Sequence, residues 1–246
     1  MRRAAAWSAA LAVLLAGCGG DDGDARLVVS AGSSMKEALT ECGRDFDGAD
    51  VRLSFGGSDE LAAQVRQGVK PDVLASANTS IPEELHADGL LSKPVEFATN
   101  ELVIAVPRGS DVRETTDLRR EGMKLVVGSE SVPIGSYTRE VLDRLPGREG
   151  DLILANVRSN EPDVKGIVGK LVQGAADAGF TYVTDVNAAS DDLEAIPLPR
   201  AVEPDVTYAA GVVRGARQPE PARRFVRDLV DGGCADALED AGFGKP

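Results

Sequence analysis

The sequence predicts an α/β fold, and three observations lead to this prediction. Short apolar runs alternate with amphipathic helical patterns from residue 26 onwards. The apolar runs are mostly continuous, which is typical of parallel strands that helices cover on both faces. The chain of 246 residues is long enough for one large domain or for two lobes of roughly 100 residues each.

The predicted strands and helices follow one another along the chain. Apolar runs predict strands at residues 26–31, 50–55, 72–77, 98–106, 123–128, 151–157, 177–183 and 206–213. Helical periodicity predicts helices at residues 34–46, 59–68, 80–88, 134–145 and 163–173, with a helical segment at 218–242. Residues 109–111 and 202–205 are predicted to be connections near lobe boundaries.

Residues 1–17 are typical of a lipoprotein signal peptide. Arg2 and Arg3 precede an apolar run that is too short to span a bilayer. The run ends in Leu-Ala-Gly-Cys at residues 15–18, which resembles the lipobox of bacterial lipoproteins. That resemblance implies cleavage before Cys18 and attachment of lipid to its sulfur. Residues 18–25 are mostly Gly and Asp after Cys18, and they are predicted to be a flexible tether.

The charge of the chain limits its partners. Lys and Arg number 27 against 40 Asp and Glu, so the formal net charge is −13. Nucleic acid and anionic membrane surfaces are disfavoured as partners because both are negatively charged. An anionic ligand is also disfavoured, unless oriented dipoles bind it locally.

Two Ser-bearing turns, each between a predicted strand and a predicted helix, are candidate binding elements. One contains Ser33 and Ser34, the other contains Ser58, and a glycine precedes each. A helix N-terminus has unpaired N–H groups and roughly half a positive charge, so it attracts anions. Two such ends facing each other would hold a small dianion without Lys or Arg. The alternative is that the serines are ordinary N-caps, and residues 34–37 fit the S-x-x-E capping box.

Cys42 and Cys234 remain once Cys18 is assigned to lipid attachment. Outside the cytoplasm, a pair of cysteines favours a disulfide over two free thiols. The bridge would tie the end of the first predicted helix to the C-terminal helices. Two free thiols are the alternative.

Enzyme functions find little support in the sequence, and no catalytic residue or cofactor is predicted. The single histidine, His86, lies in a polar helical pattern and is expected to be an exposed structural residue, so a Ser-His-Asp relay lacks a base. Residues 33–36 match the S-x-x-K nucleophile motif of penicillin-recognising enzymes, but neither S-D-N nor K-T-G follows. The acidic residues show no metal-ligand spacing. A cell-envelope serine acylase is therefore a disfavoured alternative.

Seven segments in consistent order resemble motifs of periplasmic molybdate-binding proteins. Residues 31–39 resemble their A-A-A-S-L-x-x-A-L opening, and residues 55–62 resemble their F-G-x-S-x-x-L-A segment. The other matching segments are residues 68–77, 100–107, 132–137, 162–166 and 178–182. Each motif alone is weak evidence for the family. Together the motifs are strong evidence, because they match in order from residue 27 to about residue 230.

The resemblance implies a two-lobed type II periplasmic binding protein, in which each lobe is a mainly parallel sheet flanked by helices. The ligand cleft lies between the lobes, and two strands form the hinge. The predicted lobes are residues 26–104 plus 207–246 and residues 105–206. The resemblance also implies a monomer, lipid-anchored outside the cytoplasm, that delivers molybdate or tungstate to an ABC permease and its ATPase. The alternative is a binding protein for sulfate, phosphate or another oxyanion.

The resemblance further implies ligand contacts, which carry over to Ser34, Ser58, Ile134, Val164 and Tyr182. The two serines would donate hydroxyl and backbone N–H bonds from the first lobe. Ile134 and Val164 would donate hydrogen bonds from their backbone N–H groups, and Tyr182 would donate one from its phenol. Ser33 is a secondary candidate because two neighbouring serines leave the register open. The oxyanion would bind without a direct bond from a protein atom to its metal. Without the resemblance, Ile134, Val164 and Tyr182 would be interpreted as structural residues.

Two positions depart from the family pattern. Ile134 stands where a small residue is usual, and its side chain either narrows the pocket or points away. Asp59 follows Ser58 directly, and this carboxylate either complements the helix dipole or accepts a hydrogen bond from a protonated ligand such as hydrogen phosphate. Selectivity for molybdate over sulfate is expected to depend on pocket size, because the two ions share charge and shape.

Overall fold

The computed structural model describes residues 26–246. The predicted signal peptide and the whole predicted tether, including Cys18, lie outside the described residues. The described chain forms two five-stranded sheets flanked by helices. No helix in this part of the chain is long and apolar enough to cross a bilayer.

The elements alternate as the sequence predicts, with a few additions. The strands are β1 Arg26–Gly32, β2 Asp50–Gly56, β3 Val73–Ser76, β4 Val95–Asn100, β5 Leu102–Pro107, β6 Leu125–Gly128, β7 Val157–Glu161, β8 Ala178–Tyr182, β9 Leu193–Pro197 and β10 Val206–Val212. The α-helices are α1 Lys36–Asp45, α2 Ser58–Arg66, α3 Ser80–Ala87, α4 Pro133–Arg144, α5 Glu149–Leu154, α6 Val164–Val172, α7 Val183–Ala188, α8 Pro219–Asp228 and α9 Gly233–Asp240. Short 3₁₀ turns at Ser33–Met35 and Thr115–Arg119 complete the set.

Each sheet defines one lobe, and both sheets are mixed. The first lobe has the strand order β2-β1-β3-β10-β4, and the second has the order β7-β6-β8-β5-β9. In the first sheet, β1 pairs in parallel with β2 and β3, whereas β10 pairs antiparallel with β3 and β4. The second sheet repeats this arrangement, with β6 as its parallel centre and β5 as its antiparallel member. The two-lobed α/β prediction is confirmed.

The antiparallel strands are those that carry the chain between the lobes. The predicted crossover strand at 98–106 is two strands, β4 in the first sheet and β5 in the second, with Glu101 between them. Residues 102–104 therefore pair within the second sheet, although the predicted boundary assigned them to the first lobe. The chain returns through residues 198–205, between β9 and β10. These two crossings connect the lobes at the place where the hinge is predicted.

Other differences from the sequence prediction involve short elements. The predicted strand at 151–157 is wrong, because residues 149–154 form α5 and β7 begins only at Val157. A short apolar run does not distinguish a buried helical turn from a strand. The edge strand β9 was not predicted, since its alternating buried and exposed residues give no continuous apolar run.

The first lobe is closed at one end by a disulfide between Cys42 in α1 and Cys234 in α9. The two Cα atoms are 4.7 Å apart, and 192 positions separate the cysteines in sequence. Helix α1 packs along α9 beside this bridge. The bridge joins elements of one lobe only, so it leaves motion between the lobes free.

Candidate functional site

A small cavity lies between the lobes, where several strands end and helices begin. The cavity is small, since the centre of a water-sized sphere can occupy only about 20 Å³ of it. The first lobe contributes Gly32, Ser33, Ser34, Gly56, Gly57, Ser58 and Ala77, and the second contributes Val132, Pro133, Ile134, Asp163, Val164 and Tyr182. All six residues predicted as ligand contacts or as the secondary candidate therefore line one cavity.

The first-lobe serines are buried, and neither caps its helix. Ser34 is 5% exposed and Ser58 is 2% exposed. The predicted capping box is not formed, since the turn containing Ser34 and the start of α1 have no side-chain cap. The Ser58 hydroxyl oxygen instead accepts a hydrogen bond from the Ala77 backbone N–H at 3.2 Å. The Ser34 hydroxyl oxygen accepts one from the Tyr208 phenol at 3.0 Å.

The second lobe presents two helix starts to the same cavity. Helix α4 begins with Pro133, so the first N–H of the helix belongs to Ile134. Helix α6 begins at Val164, and the side chain of Asp163 caps it by accepting a hydrogen bond from Gly166 N–H at 3.0 Å. Because the first N–H groups of a helix have no partner within it, those of Ile134 and Val164 are available to an anion.

Tyr182 supplies a phenol at the end of β8. The side chain is 1% exposed, and its hydroxyl makes no hydrogen bond with the described residues. Its ring packs edge-on against Tyr208, with ring centroids 5.9 Å apart. Burial, with a smaller contribution from Tyr208, raises the pKa of Tyr182 well above its usual value. The phenol therefore stays protonated and is a donor to whatever occupies the cavity.

Neutral donors dominate the cavity lining. Within residues 26–246, no Lys, Arg or His lines the cavity, and the one charged residue there, Asp163, is used in capping α6. Asp59 is not part of the lining, although its Oδ1 atom is buried beside Gly57 without a hydrogen-bond partner. Ile134 is one of the residues that line the cavity and is 3% exposed. Such a lining suits an anion that carries no hydrogen of its own.

Backbone and side-chain contacts bring the two lobes together around the cavity. A Cβ atom added to Gly57 would lie closer than 3.0 Å to the carbonyl oxygen of Pro162 in the other lobe. Next to Val164, the Lys165 ammonium lies 2.8 Å from Glu37 in the first lobe and 3.0 Å from Asp185 in the second. The structure therefore has the lobes closed upon each other.

Asp185 is fully buried in this ion-pair group. Burial raises the pKa of the Asp185 carboxyl to about 6, and the Lys165 ammonium opposes that rise. The pKa of Lys165 is itself raised, because the carboxylates of Asp185 and Glu37 outweigh the effect of burial. This group could not be predicted from the sequence, since its members are far apart in the chain and no motif connects them.

Neither His86 nor Lys36 lines the cavity. His86 is exposed in α3, where its ring Nδ1 lies 3.0 Å from the Leu91 carbonyl oxygen. Ser33, the serine of the S-x-x-K motif, does line the cavity, but the lysine of that motif does not. The arrangement supports binding of a ligand and provides no relay for proton abstraction.

Comparison with known proteins agrees with this architecture. A family profile described as bacterial extracellular solute-binding protein matches residues 27–244. The molybdate-binding protein ModA of Mycobacterium bovis is 35% identical over 235 residues, covering 93% of this chain and 88% of the relative. The ModA protein of Escherichia coli is 27% identical over 209 residues, which covers 78% and 79% of the two chains.

A solved structure has the same fold. The periplasmic molybdate-binding protein of Azotobacter vinelandii superposes with a TM-score of 0.78 at 20% identity, covering 89% of this chain and 99% of that one. Members of such families bind solutes and are not enzymes, so the prediction of binding without catalysis is confirmed. The chain belongs to the bacterial extracellular solute-binding protein family.

Proposed function

We propose that this protein captures molybdate, and also tungstate, in the cavity between its lobes and delivers it to an ABC import permease with its ATPase. The observation that carries the proposal is the convergence of neutral donors from five chain segments on one closed cavity. The relatives named as molybdate-binding proteins support the choice of ligand.

The chemistry of the ligand matches the lining. Molybdate is fully deprotonated at neutral pH, so all four of its oxygens accept hydrogen bonds. Hydrogen bonds to these oxygens would come from the hydroxyl groups of Ser34, Ser58 and Tyr182. The backbone N–H groups of Ile134 and Val164 would donate further hydrogen bonds. Hydrogen bonds to a charged oxygen contribute about 1.5–3 kcal/mol each, and their effect increases in a cavity that excludes water. Local donors of this kind can hold a dianion despite a formal net charge of −13.

We also propose that the protein is a lipoprotein on the outer face of a membrane and acts as a monomer. The support for the anchor is the sequence Leu-Ala-Gly-Cys at residues 15–18, after a charged start and an apolar run. A single acyl chain binds membranes only marginally, so stable attachment requires more than one chain at Cys18. The predicted tether at 18–25 would let the two lobes reach the permease.

Replacing the cavity serines tests this proposal directly. Ser34→Ala and Ser58→Ala should each weaken molybdate binding by about 1–3 kcal/mol, because each removes a donor to a charged oxygen. Each change also leaves a buried donor without its acceptor, the Tyr208 phenol in Ser34→Ala and the Ala77 N–H in Ser58→Ala, so the unliganded melting temperatures should fall as well. Ser30→Ala is a matched control, because Ser30 is a buried serine of β1 that does not line the cavity. Isothermal titration calorimetry and thermal unfolding of the four proteins give both quantities.

The two measurements separate the proposal from a purely structural role. If both variants bind molybdate as tightly as the parent and only their melting temperatures fall, the serines are structural and the proposed site is wrong. If Ser30→Ala weakens binding as much as the cavity variants do, the loss is not specific to the cavity.

A further inference from the structure

A chain of hydrogen bonds runs from the hinge between β4 and β5 to the cavity. It begins at Asn100, the last residue of β4, and passes through Tyr208 in the other crossover strand, β10. It ends at the Ser34 hydroxyl. Tyr208 does not line the cavity and is completely buried, so it has no direct contact with a ligand there.

The direction of each bond in this chain is determined by its neighbours. The Asn100 Oδ1 atom accepts the Glu101 backbone N–H at 2.9 Å, which fixes the orientation of the amide. The amide nitrogen then donates to the Thr184 hydroxyl oxygen at 2.9 Å and to the Tyr208 phenol oxygen at 3.3 Å. An amide nitrogen cannot accept, so the phenol oxygen is the acceptor in that bond. The phenol hydrogen remains available, and Ser34 Oγ lies 3.0 Å away as its acceptor.

This direction has a consequence for Ser34. A hydroxyl group has one hydrogen and two acceptor sites. With the phenol occupying an acceptor site, the Ser34 hydrogen is free to point into the cavity. If the hydroxyl donated to the phenol instead, its lone pairs would face the cavity and repel an anion. Ser58 is oriented in the same way, because its oxygen accepts the Ala77 backbone N–H.

We infer that Tyr208 is a positioning residue for anion binding: its phenol, oriented by Asn100, holds the Ser34 hydroxyl as a donor to the ligand. The inference rests on the proposed function, since it concerns the same cavity. Tyr208 would then be a determinant of anion specificity that lies outside the residues lining the cavity. It also links ligand contact to lobe closure, because Thr184, the other acceptor of the Asn100 amide, belongs to the second lobe.

A double-mutant cycle between Tyr208→Phe and Ser34→Ala tests the inference. Tyr208→Phe keeps the ring and its packing against Phe97, Tyr182 and Phe243, but removes the phenol hydrogen. The single variant should raise the dissociation constant for molybdate about 3- to 10-fold, the scale of one net hydrogen bond. In the Ser34→Ala background the same change should alter the constant by less than about 2-fold, because the hydroxyl on which it acts is gone.

Matched variants separate positioning from general damage. Tyr137→Phe removes another largely buried phenol that does not line the cavity, and it should leave molybdate affinity within about 2-fold of the parent. Asn100→Ala removes the amide that orients Tyr208, so it should weaken binding at least about 2-fold, and this loss should also vanish in the Ser34→Ala background. Asn100→Ala replaces Tyr208→Phe in the cycle if that variant does not fold.

Failure of the inference about Tyr208 can be distinguished from failure of the proposed function. Titration of the parent with molybdate, tungstate, sulfate and phosphate first establishes which anion binds, and the cycle is then measured with that anion. Absence of binding by all four overturns the proposed function and the inference with it. Binding by the parent with no effect of Tyr208→Phe, or with the same loss in the Ser34→Ala background, overturns the inference alone.

Discussion

Gly57→Ala is expected to reduce molybdate affinity by at least about 100-fold while leaving each lobe folded. An added Cβ would meet the carbonyl oxygen of Pro162 across the cleft at less than 3.0 Å, and a backbone atom cannot move aside as a flexible side chain can. The lobes must then stay apart. The second lobe supplies three donors, and loss of even two of them, at about 1.5–3 kcal/mol each, corresponds to at least a 100-fold weaker complex.

The same substitution should leave the unliganded protein almost as stable as the parent. Gly57 has φ −64° and ψ 134°, a conformation that alanine adopts without strain. Within the first lobe the added Cβ would lie 2.9 Å from Asp59 Oδ1, which is the end of a flexible side chain and can move aside. The conflict with the Pro162 backbone arises between the lobes, so an open conformation relieves it. Thermal unfolding without ligand and calorimetric titration with molybdate measure the two effects separately.

Gly56→Ala is the matched control for this prediction. Its added Cβ would have nothing nearer than 3.7 Å, within ordinary van der Waals contact of Leu61 in the same lobe. This variant should bind molybdate within a few-fold of the parent. Equal affinity of Gly57→Ala and the parent would show that the closed arrangement of the lobes is not the conformation that binds ligand.

Removal of the Cys42–Cys234 disulfide is expected to have the largest effect on stability. Its loop spans 192 positions, and in the chain-entropy model a loop of this length contributes up to about 5 kcal/mol. Loss of a native disulfide usually costs about 2–5 kcal/mol, which for this chain length is roughly 5–20 °C in melting temperature. The paired variant Cys42→Ala/Cys234→Ala, unfolded in urea beside the oxidised parent, measures the loss.

The disulfide should contribute little to ligand affinity. It joins α1 and α9 within the first lobe and does not line the cavity between the lobes. The paired variant should therefore bind molybdate with an affinity close to that of the parent at temperatures well below its melting point. Equal urea midpoints for the parent and the variant would contradict the stabilising role of the bridge.

The fold and the cavity lining could be predicted because both depend on local patterns. Strand, turn and helix follow one another within residues 27–39 and 51–65, so the Ser-bearing turns are visible in the sequence. Ile134, Val164 and Tyr182 required the family resemblance, since alone they are ordinary apolar or aromatic residues beside helix starts. The structure brings all of them to one cavity.

Contacts between distant segments could not be predicted. The Tyr208–Ser34 bond joins residues 174 positions apart, and the Asn100–Tyr208 bond joins residues 108 apart. Ser34 and Asn100 lie in segments that resemble family motifs, but Tyr208 lies in none, and no spacing relates the three residues. The Lys165 ion pairs likewise depend on the packing of α6 and α7 in the second lobe against the first, which no periodicity in the sequence specifies.

Direct calorimetric titration of residues 26–246 with molybdate, sulfate and phosphate tests the central claim. Molybdate should bind tightest, and at a hundredfold excess over its dissociation constant it should stabilise the fold by about 2.7 kcal/mol, or roughly 5–10 °C. Sulfate should bind more weakly because it is smaller, and hydrogen phosphate more weakly because its own hydrogen meets a lining of donors. Tightest binding of phosphate, abolished by Asp59→Asn, would contradict the claim and assign the cavity to a protonated oxyanion. Tightest binding of sulfate would contradict the choice of molybdate.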